Sequence, residues 1–443
     1  MYCRPIAVDL FSGAGGLSLG FEQAGFDVVA AVEVDPIHCA THKFNFPECT
    51  VIPRSVEALT GLDIRKASGI GCKPVDLVFG GPPCQGFSLI GKRALDDPRN
   101  NLVRHFLRLV TELSASYFLF ENVKGLTLGR HRQFLQELVS EFSRAGYRIR
   151  LPWRVLNAAQ YGVPQNRERL FIMGAKSGLP LPNYPDAITM PCGKKFAMTL
   201  FPSGPSCRDA LGDIPDAERF PELAVDDSVI ADAWGTPSPY AAGLRCIAPD
   251  AWHFGHPRIW EPRRLTSSAT TKHTDISRRR FANTKSGEVE PISRFFRLDA
   301  DGICNTLRAG TDSSRGAFTS PRPIHYEYNR CITVREMARL HGFPDWFRFH
   351  RTKWHGARQV GNSVPPPLAR MLAAQYIAAM GNVGQRPDVD IELGDPLLLG
   401  LDMSAAARFW GVDVTIGKRD RKSGARKRSQ ADTEAGIGLA RGI

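Results

Sequence analysis

No CxxC pair occurs among the ten cysteines of this 443-residue chain. Their irregular spacing suits reduced thiols, not a disulfide framework or a zinc module. No apolar run reaches the roughly 18 residues that could span a bilayer, and the N-terminus lacks a signal-peptide pattern. A cytoplasmic protein with no membrane partner is therefore expected. The nearest approach to a metal cluster, His38-Cys39 with His42, has no second ligand pair, so no metal is expected either. What remains is ordinary globular composition, 43% hydrophobic and 23% charged, long enough for two or three domains. A net charge of +12 admits a polyanionic partner without demanding one.

The stretch from Val78 to Ser88, VFGGPPCQGFS, is the most informative. The apolar run Val75 to Phe79 reads as a buried parallel strand. Gly80 and Gly81 end it, and Pro82 and Pro83 fix the backbone just before Cys84. That places a thiol at the carboxyl edge of a sheet, where open α/β folds bind ligands. A lone cysteine is more commonly a small buried hydrophobe, but a Gly-Gly-Pro-Pro lead-in does not suit a packed core. The polar stretch that follows, through Arg99, could act as a lid.

Upstream, Ile6 to Phe11 reads as a strand feeding the turn Ser12 to Gly16, after which Leu17, Leu19 and Phe21 start a helix. The spacing is FxGxGG, not the GxGxxG that admits a pyrophosphate. Phe26 to Val32 supplies a second strand ending in Glu33, placed to hold ribose hydroxyls or simply to be a solvated strand end. Val51 to Val56 reads as a third strand. Leu102, Phe106, Leu109, Val110 and Leu113 form a core-facing helical stripe. Tyr117 to Phe120 makes a further strand with Glu121 at its carboxyl end, so thiol and carboxyl share one crevice. Helix 134–142, strand 148–156 and strand 170–173 follow. Arg167 and Arg169, as strand residues, would share a face, either in the site or in a surface ion-pair ladder.

From about Leu179 the texture becomes proline-rich and aperiodic. Between His253 and Arg297, basic residues interleave with Phe254, Trp260 and Phe281. That mixture suits nucleic acid, and a solvated basic face nearly as well. Helical order returns near Glu336 and again after Gly361-Asn-Ser-Val-Pro-Pro-Pro367. Beyond Gly381 a short apolar helix near Ala405 to Trp410 resembles the first helix of a helix-turn-helix, but no second follows. Lys418 to Arg428 reads as a disordered basic tail.

Taken together, DLFSGAGGLSLGF, the Glu33 strand end, GGPPCQGFS, ENV, QYGVPQNRERLF and GNSVPP make the chain similar to the DNA (cytosine-5)-methyltransferases of bacterial restriction-modification systems. The resemblance covers about the first 175 residues and roughly 330 to 380. It implies a Rossmann-like α/β S-adenosylmethionine-dependent sheet with a smaller inserted target-recognition domain. The expected division is 1–178 catalytic, 179–329 recognition, 330–380 catalytic again, and 381–443 an extension. Carried over by residue, it makes Cys84 the nucleophile, Glu121 the cytosine-gripping acid, and Arg167 and Arg169 partners of the base. It sets S-adenosylmethionine against Phe11, Gly13, Gly15, Gly16, Glu33, Val34, Ser55, Val56, Pro83, Leu102, Asn362 and Ser363. Ser55 departs from the pattern, standing where the family often has aspartate.

The implied partner is double-stranded DNA, entered by a monomer, with a cognate restriction endonuclease acting at the same site. Two other readings share these motifs: a transfer-RNA cytosine-5 methyltransferase, disfavoured by the long basic insert, and a catalytically inactive DNA-binding regulator, disfavoured by the intact catalytic residues.

Overall fold

Strand β1 (Ile6–Leu10) carries the unbroken run IAVDL and is buried along almost its whole length, as a central parallel strand must be. Its one charged residue, Asp9, is enclosed, and the Ser18 hydroxyl donates to it at 2.6 Å. Burial holds that carboxyl well above its ordinary 3.8. The computed structural model of the chain describes residues 4–83, 101–128, 131–193, 201–310 and 321–413. Cys84, the expected lid through Arg99 and the basic run Lys418 to Arg428 lie outside the described residues.

From β1 the chain continues through α1 (Gly16–Ala24), β2 (Asp27–Val32), α2 (Pro36–Asn45), β3 (Thr50–Ile52), α3 (Gly61–Ser68) and β4 (Leu77–Gly80). Next come α4 (Asn101–Glu112), β5 (Tyr117–Val123), α5 (His131–Arg144), β6 (Tyr147–Ile149), β7 (Arg154–Asn157) and β8 (Glu168–Lys176). These strands form one eight-stranded sheet in the order β3-β2-β1-β4-β5-β8-β6, with β7 also on β8. The first five pair in parallel, whereas β8 runs antiparallel to its neighbours. Strand order reverses between β1 and β4, which opens a crevice at their carboxyl ends.

Three sequence expectations need correction. The third strand stops at Ile52, before Pro53, which has no N–H for the ladder. Ser55 instead caps a 3-10 turn (Val56–Ala58), its hydroxyl accepting from Glu57 N at 3.3 Å. The strand expected from Arg148 to Leu156 is two strands, parted around Pro152 for the same reason. Finally, β5 runs on to Val123, so Glu121 sits within the strand, opposite Phe171 of β8.

Beyond the sheet come α6 (Cys207–Leu211), β9 (Val229–Ile230), α7 (Pro239–Leu244), β10 (Arg258–Ile259), β11 (Arg264–Leu265) and α8 (Asp275–Asn283). They are followed by α9 (Val334–His341), α10 (Lys353–Asn362), α11 (Pro366–Ala379), β12 (Ile391–Glu392) and α12 (Met403–Trp410). Every residue of α9 is buried. Its charges are tolerable because they are paired: Arg339 with Asp213 at 3.0 Å and Asp345 at 2.6 Å, and Glu336 with Arg330 at 2.8 Å. Among the described residues no helix is long and apolar enough to cross a membrane.

Helix α11 returns the chain to the first helix. A Cβ on Gly20 would stand 2.3 Å from Ala369 Cβ and 2.7 Å from Arg370 N, so α1 and α11 touch backbone to backbone. Gly20→Ala is expected to cost about 1–3 kcal/mol through overpacking, whereas Gly243→Ala, with open space around it, should be neutral or slightly stabilising. Denaturant unfolding of the two variants checks the contrast.

Candidate active site

A cavity of about 790 Å³ opens at the carboxyl ends of β1, β2, β4 and β5, within the usual range of small-molecule pockets, roughly 300–1,000 Å³. One wall is the turn after β1. Phe11 N and Ser12 N both donate to Val32 O, at 2.9 and 3.1 Å, which pins the turn to β2. Phe11 takes a positive φ of 65°, a conformation costly for a non-glycine residue and often found where a ligand is held. Gly13 also has positive φ, and a Cβ there would meet nothing within 4 Å.

Glu33 closes this wall. Its carboxylate accepts from Gly13 N at 2.9 Å, Val34 N at 2.8 Å and Asp35 N at 2.9 Å. An ionised carboxylate offers about four acceptor positions, so capacity remains for one ligand hydroxyl. Val34, Ser55, Val56, Pro83 and Leu102 line the same space, a mostly apolar slot beside the acidic strand end.

The facing wall is the segment 361–364, brought in by α11. A Cβ on Gly16 would be 2.5 Å from Val364 O, so glycine turn and returning segment are in direct contact. Two buried side chains after β7 hold that segment. Arg167 donates to Gly361 O at 2.8 Å and to Leu307 O at 2.9 Å. Gln165 accepts from Leu307 N at 3.2 Å and donates to His341 Nδ1 at 2.9 Å, leaving His341 Nε2–H to donate to Ser363 O at 2.9 Å. Burial holds the His341 imidazole well below its ordinary range, which keeps it neutral, as this relay requires.

At the other end stand Glu121 and Arg169, paired at 3.0 Å with side chains only 13% and 15% exposed. They sit on adjacent strands at diagonal positions of the β5–β8 register. Burial raises the Glu121 carboxyl above its ordinary 4.5, opposed by Arg169 and then Arg167. A Cβ on Gly81 would meet Glu121 Oε2 at 2.4 Å, so glycine is what admits the carboxylate there. Asn122 Nδ2 donates to Pro82 O at 2.9 Å, anchoring the chain two residues before Cys84.

The structure thus gathers Phe11, Gly13, Gly16, Glu33, Val34, Ser55, Val56, Pro83, Leu102, Glu121, Arg169, Asn362 and Ser363 around one cavity. Cys84 lies outside the described residues. Gly15 does not line the space: it caps α1, packed so that a Cβ would strike Phe46 at 2.5 Å. Arg167 does not line it either. β8 begins at Glu168, so the two arginines do not share a strand face, and Arg167 turns inward to backbone carbonyls. Gly81, Asn122, Gln165 and His341 went unassigned in the sequence. All but His341 lie inside the quoted motifs, and the only available signal was an amide or glycine at a strand end.

The family model described as C-5 cytosine-specific DNA methylase matches residues 6–378. The Type II methyltransferase M.XorII of Xanthomonas oryzae pv. oryzae is 57% identical over 413 residues, covering 93% of this chain and 94% of that protein. M1.HphI of Haemophilus parahaemolyticus, also a Type II methyltransferase, is 32% identical, over 84% of this chain and 87% of its own. A solved prophage-encoded DNA modification methyltransferase of E. coli superposes with a TM-score of 0.67 at 34% identity, covering 85% of this chain and all of that one.

Carbon-13 NMR, with Glu121→Gln as the assignment control, should find the Glu121 carboxyl titrating above 4.5. Removing the opposing charge in Arg169→Gln should raise it further. Between 4.5 and the raised value the folded protein keeps a proton that the unfolded chain has released, so this group's contribution to stability falls as pH rises through that window. A titration at or below 4.5 would contradict the assignment to burial.

Proposed function

This chain belongs to the C-5 cytosine-specific DNA methylase family and is a Type II DNA (cytosine-5)-methyltransferase; from that premise we propose how its residues divide the work. The observation that carries the reading is the pairing of an enclosed carboxyl, Glu121, with Arg169 in the cavity that also holds the Gly13–Glu33 turn.

The glycine turn, Glu33 and the apolar slot suit S-adenosylmethionine. Gly13 leaves free the room a side chain would fill, Glu33 has an acceptor position to spare, and Phe11, Val56 and Leu102 give apolar surface. When bound there, that donor supplies a methyl group on a sulfonium. Ser55 Oγ, engaged with Glu57 N, offers a neutral partner where the family often places a carboxylate.

Carbon 5 of cytosine is too weak a nucleophile for direct methylation. Cys84, one residue after the cavity-lining Pro83, adds as thiolate at carbon 6, forming a carbon–sulfur bond while the ring electrons move toward carbon 5. Glu121, made readier to hold a proton by burial, shares its proton with ring nitrogen 3 and offsets the charge that addition builds. Arg169 faces the ring carbonyl and stabilises the same charge electrostatically. After transfer to carbon 5, a base, in the simplest case water, accepts the carbon 5 proton, the freed electron pair restores the carbon 5–carbon 6 double bond and the thiolate leaves. Arg167 positions this apparatus through Gly361 and does not touch the base. A stacked cytosine cannot reach such a site, so it is flipped out at a cost of a few kcal/mol, offset by phosphate and base contacts.

Residues 1–178 and 330–380 form the catalytic part and 179–329 the recognition part, with duplex DNA between them, and the enzyme acts as a cytoplasmic monomer alongside an endonuclease for the same site. Labelled methyl transfer to duplex DNA but not to transfer RNA is the expected outcome, with the site found by methylation mapping of a plasmid. Cys84→Ser should abolish turnover while DNA still binds, and wild type should form a trapped adduct on 5-fluorocytosine DNA. Glu121→Gln should slow turnover by roughly 10²–10⁴. Turnover retained by Cys84→Ser would overturn the covalent route.

A further inference from the structure

Helix α2 has a mixed sequence, PIHCATHKFN, yet nine of its ten residues are buried. A surface helix normally buries one stripe and leaves a polar face in water, so something must cover its outer side. Part of that cover comes from Arg348 and Gln359, and the rest from chain beyond residue 378, outside the span that the family model matches.

Gly394 N donates to Phe44 O at 2.8 Å, and a Cβ on Gly394 would stand 2.9 Å from Phe44 Cα, so the segment after β12 lies directly on the helix backbone. Leu398 and Leu399 pack with Ala40 and Phe44 in a separate small core. Arg351 N donates to Leu399 O at 2.9 Å, and His350 Nε2 lies 3.0 Å from Leu401 O, fastening this stretch from below. Helix α12 then crosses α2, and Trp410 Nε1 donates to Pro36 O at 3.1 Å.

Pro36 is the first residue of α2. Immediately before it, Glu33, Val34 and Asp35 form the acidic end of the cavity, and His38, in the first turn, lines it too. Asp35 caps the helix, accepting from Ile37 N at 2.9 Å, while its own N–H donates to Glu33. Any shift of the first turn of α2 therefore moves the backbone donors that aim the Glu33 carboxylate.

We infer that residues 390–412 are part of the methyl donor's site at one remove, with Trp410 a positioning residue that fixes the first turn of α2 and, through it, Glu33 and Val34. The inference rests on the donor-site reading given above. The extension contacts Pro36, the residue next to the acidic wall, far in sequence and element from the Glu121–Arg169 pair on β5 and β8, so it acts on donor affinity and not on the chemistry at the base.

The test uses the full chain and S-adenosylhomocysteine as probe, with affinity measured by titration calorimetry. Trp410→Phe keeps an aromatic side chain but removes the N–H with the five-membered ring, and should weaken the probe at least about fivefold, the value of one ordinary hydrogen bond. Trp410→Ala, which also loses the packing, should weaken it further. Affinity for duplex DNA and turnover at saturating donor should stay at the wild-type level in the phenylalanine variant, a split that general destabilisation would not give. Unchanged probe affinity in Trp410→Phe, or equal losses for probe and DNA, would overturn the inference even if Trp410→Ala failed to fold. Wild-type protein that did not bind the probe at all would instead overturn the donor-site reading, and this inference with it.

Discussion

The close approach of α11 to α1 is the constraint on which the site depends. Gly20 packs directly on Ala369 and the backbone of α11, and Gly16 on Val364 just before it, and that contact carries residues 361–364 from the far end of the family core to the turn after β1. Without it the cavity would have a glycine turn and an acidic strand end but no opposite wall. Close packing of this kind leaves little slack, so the distance between the walls is set by backbone contact and not by flexible side chains.

Around that contact, burial decides protonation. Glu121 is enclosed beside one arginine, with a second farther off, and the desolvation of its carboxyl outweighs both charges, leaving it readier to hold a proton than a surface glutamate. His341 is pushed the opposite way by the same cause and stays neutral, which lets one ring nitrogen accept from Gln165 while the other donates to Ser363. Asp9, under the glycine turn, is also held toward its neutral form. Burial thus biases each of these three groups toward its neutral form. Full charges remain where they are matched, as between Arg339 and its two aspartates.

The insert is tied to the site by the same few residues. Leu307, near its end, gives its carbonyl to Arg167 and its N–H to Gln165, while these two also fix Gly361 and, through His341, Ser363. Ala309 and Gly310, two and three residues on, line the cavity itself. The segment around Leu307 and the segment 361–364 on the facing wall therefore share their anchors.

The motif strings determined the family, the sheet and most of the cavity's lining, because glycine turns, strand-end carboxylates and apolar runs have local causes that a sequence displays. Glu33 and Glu121 were legible for that reason. Local pattern could not tell that Arg167 faces backbone carbonyls while Arg169 faces Glu121, since one residue of difference in where β8 begins settles it. Nor could it show that Gly81 makes room for a carboxylate or that chain beyond residue 378 covers part of α2. Each of these depends on which distant segment arrives alongside, and only the tertiary packing of α11, the insert and the extension against the sheet decides that.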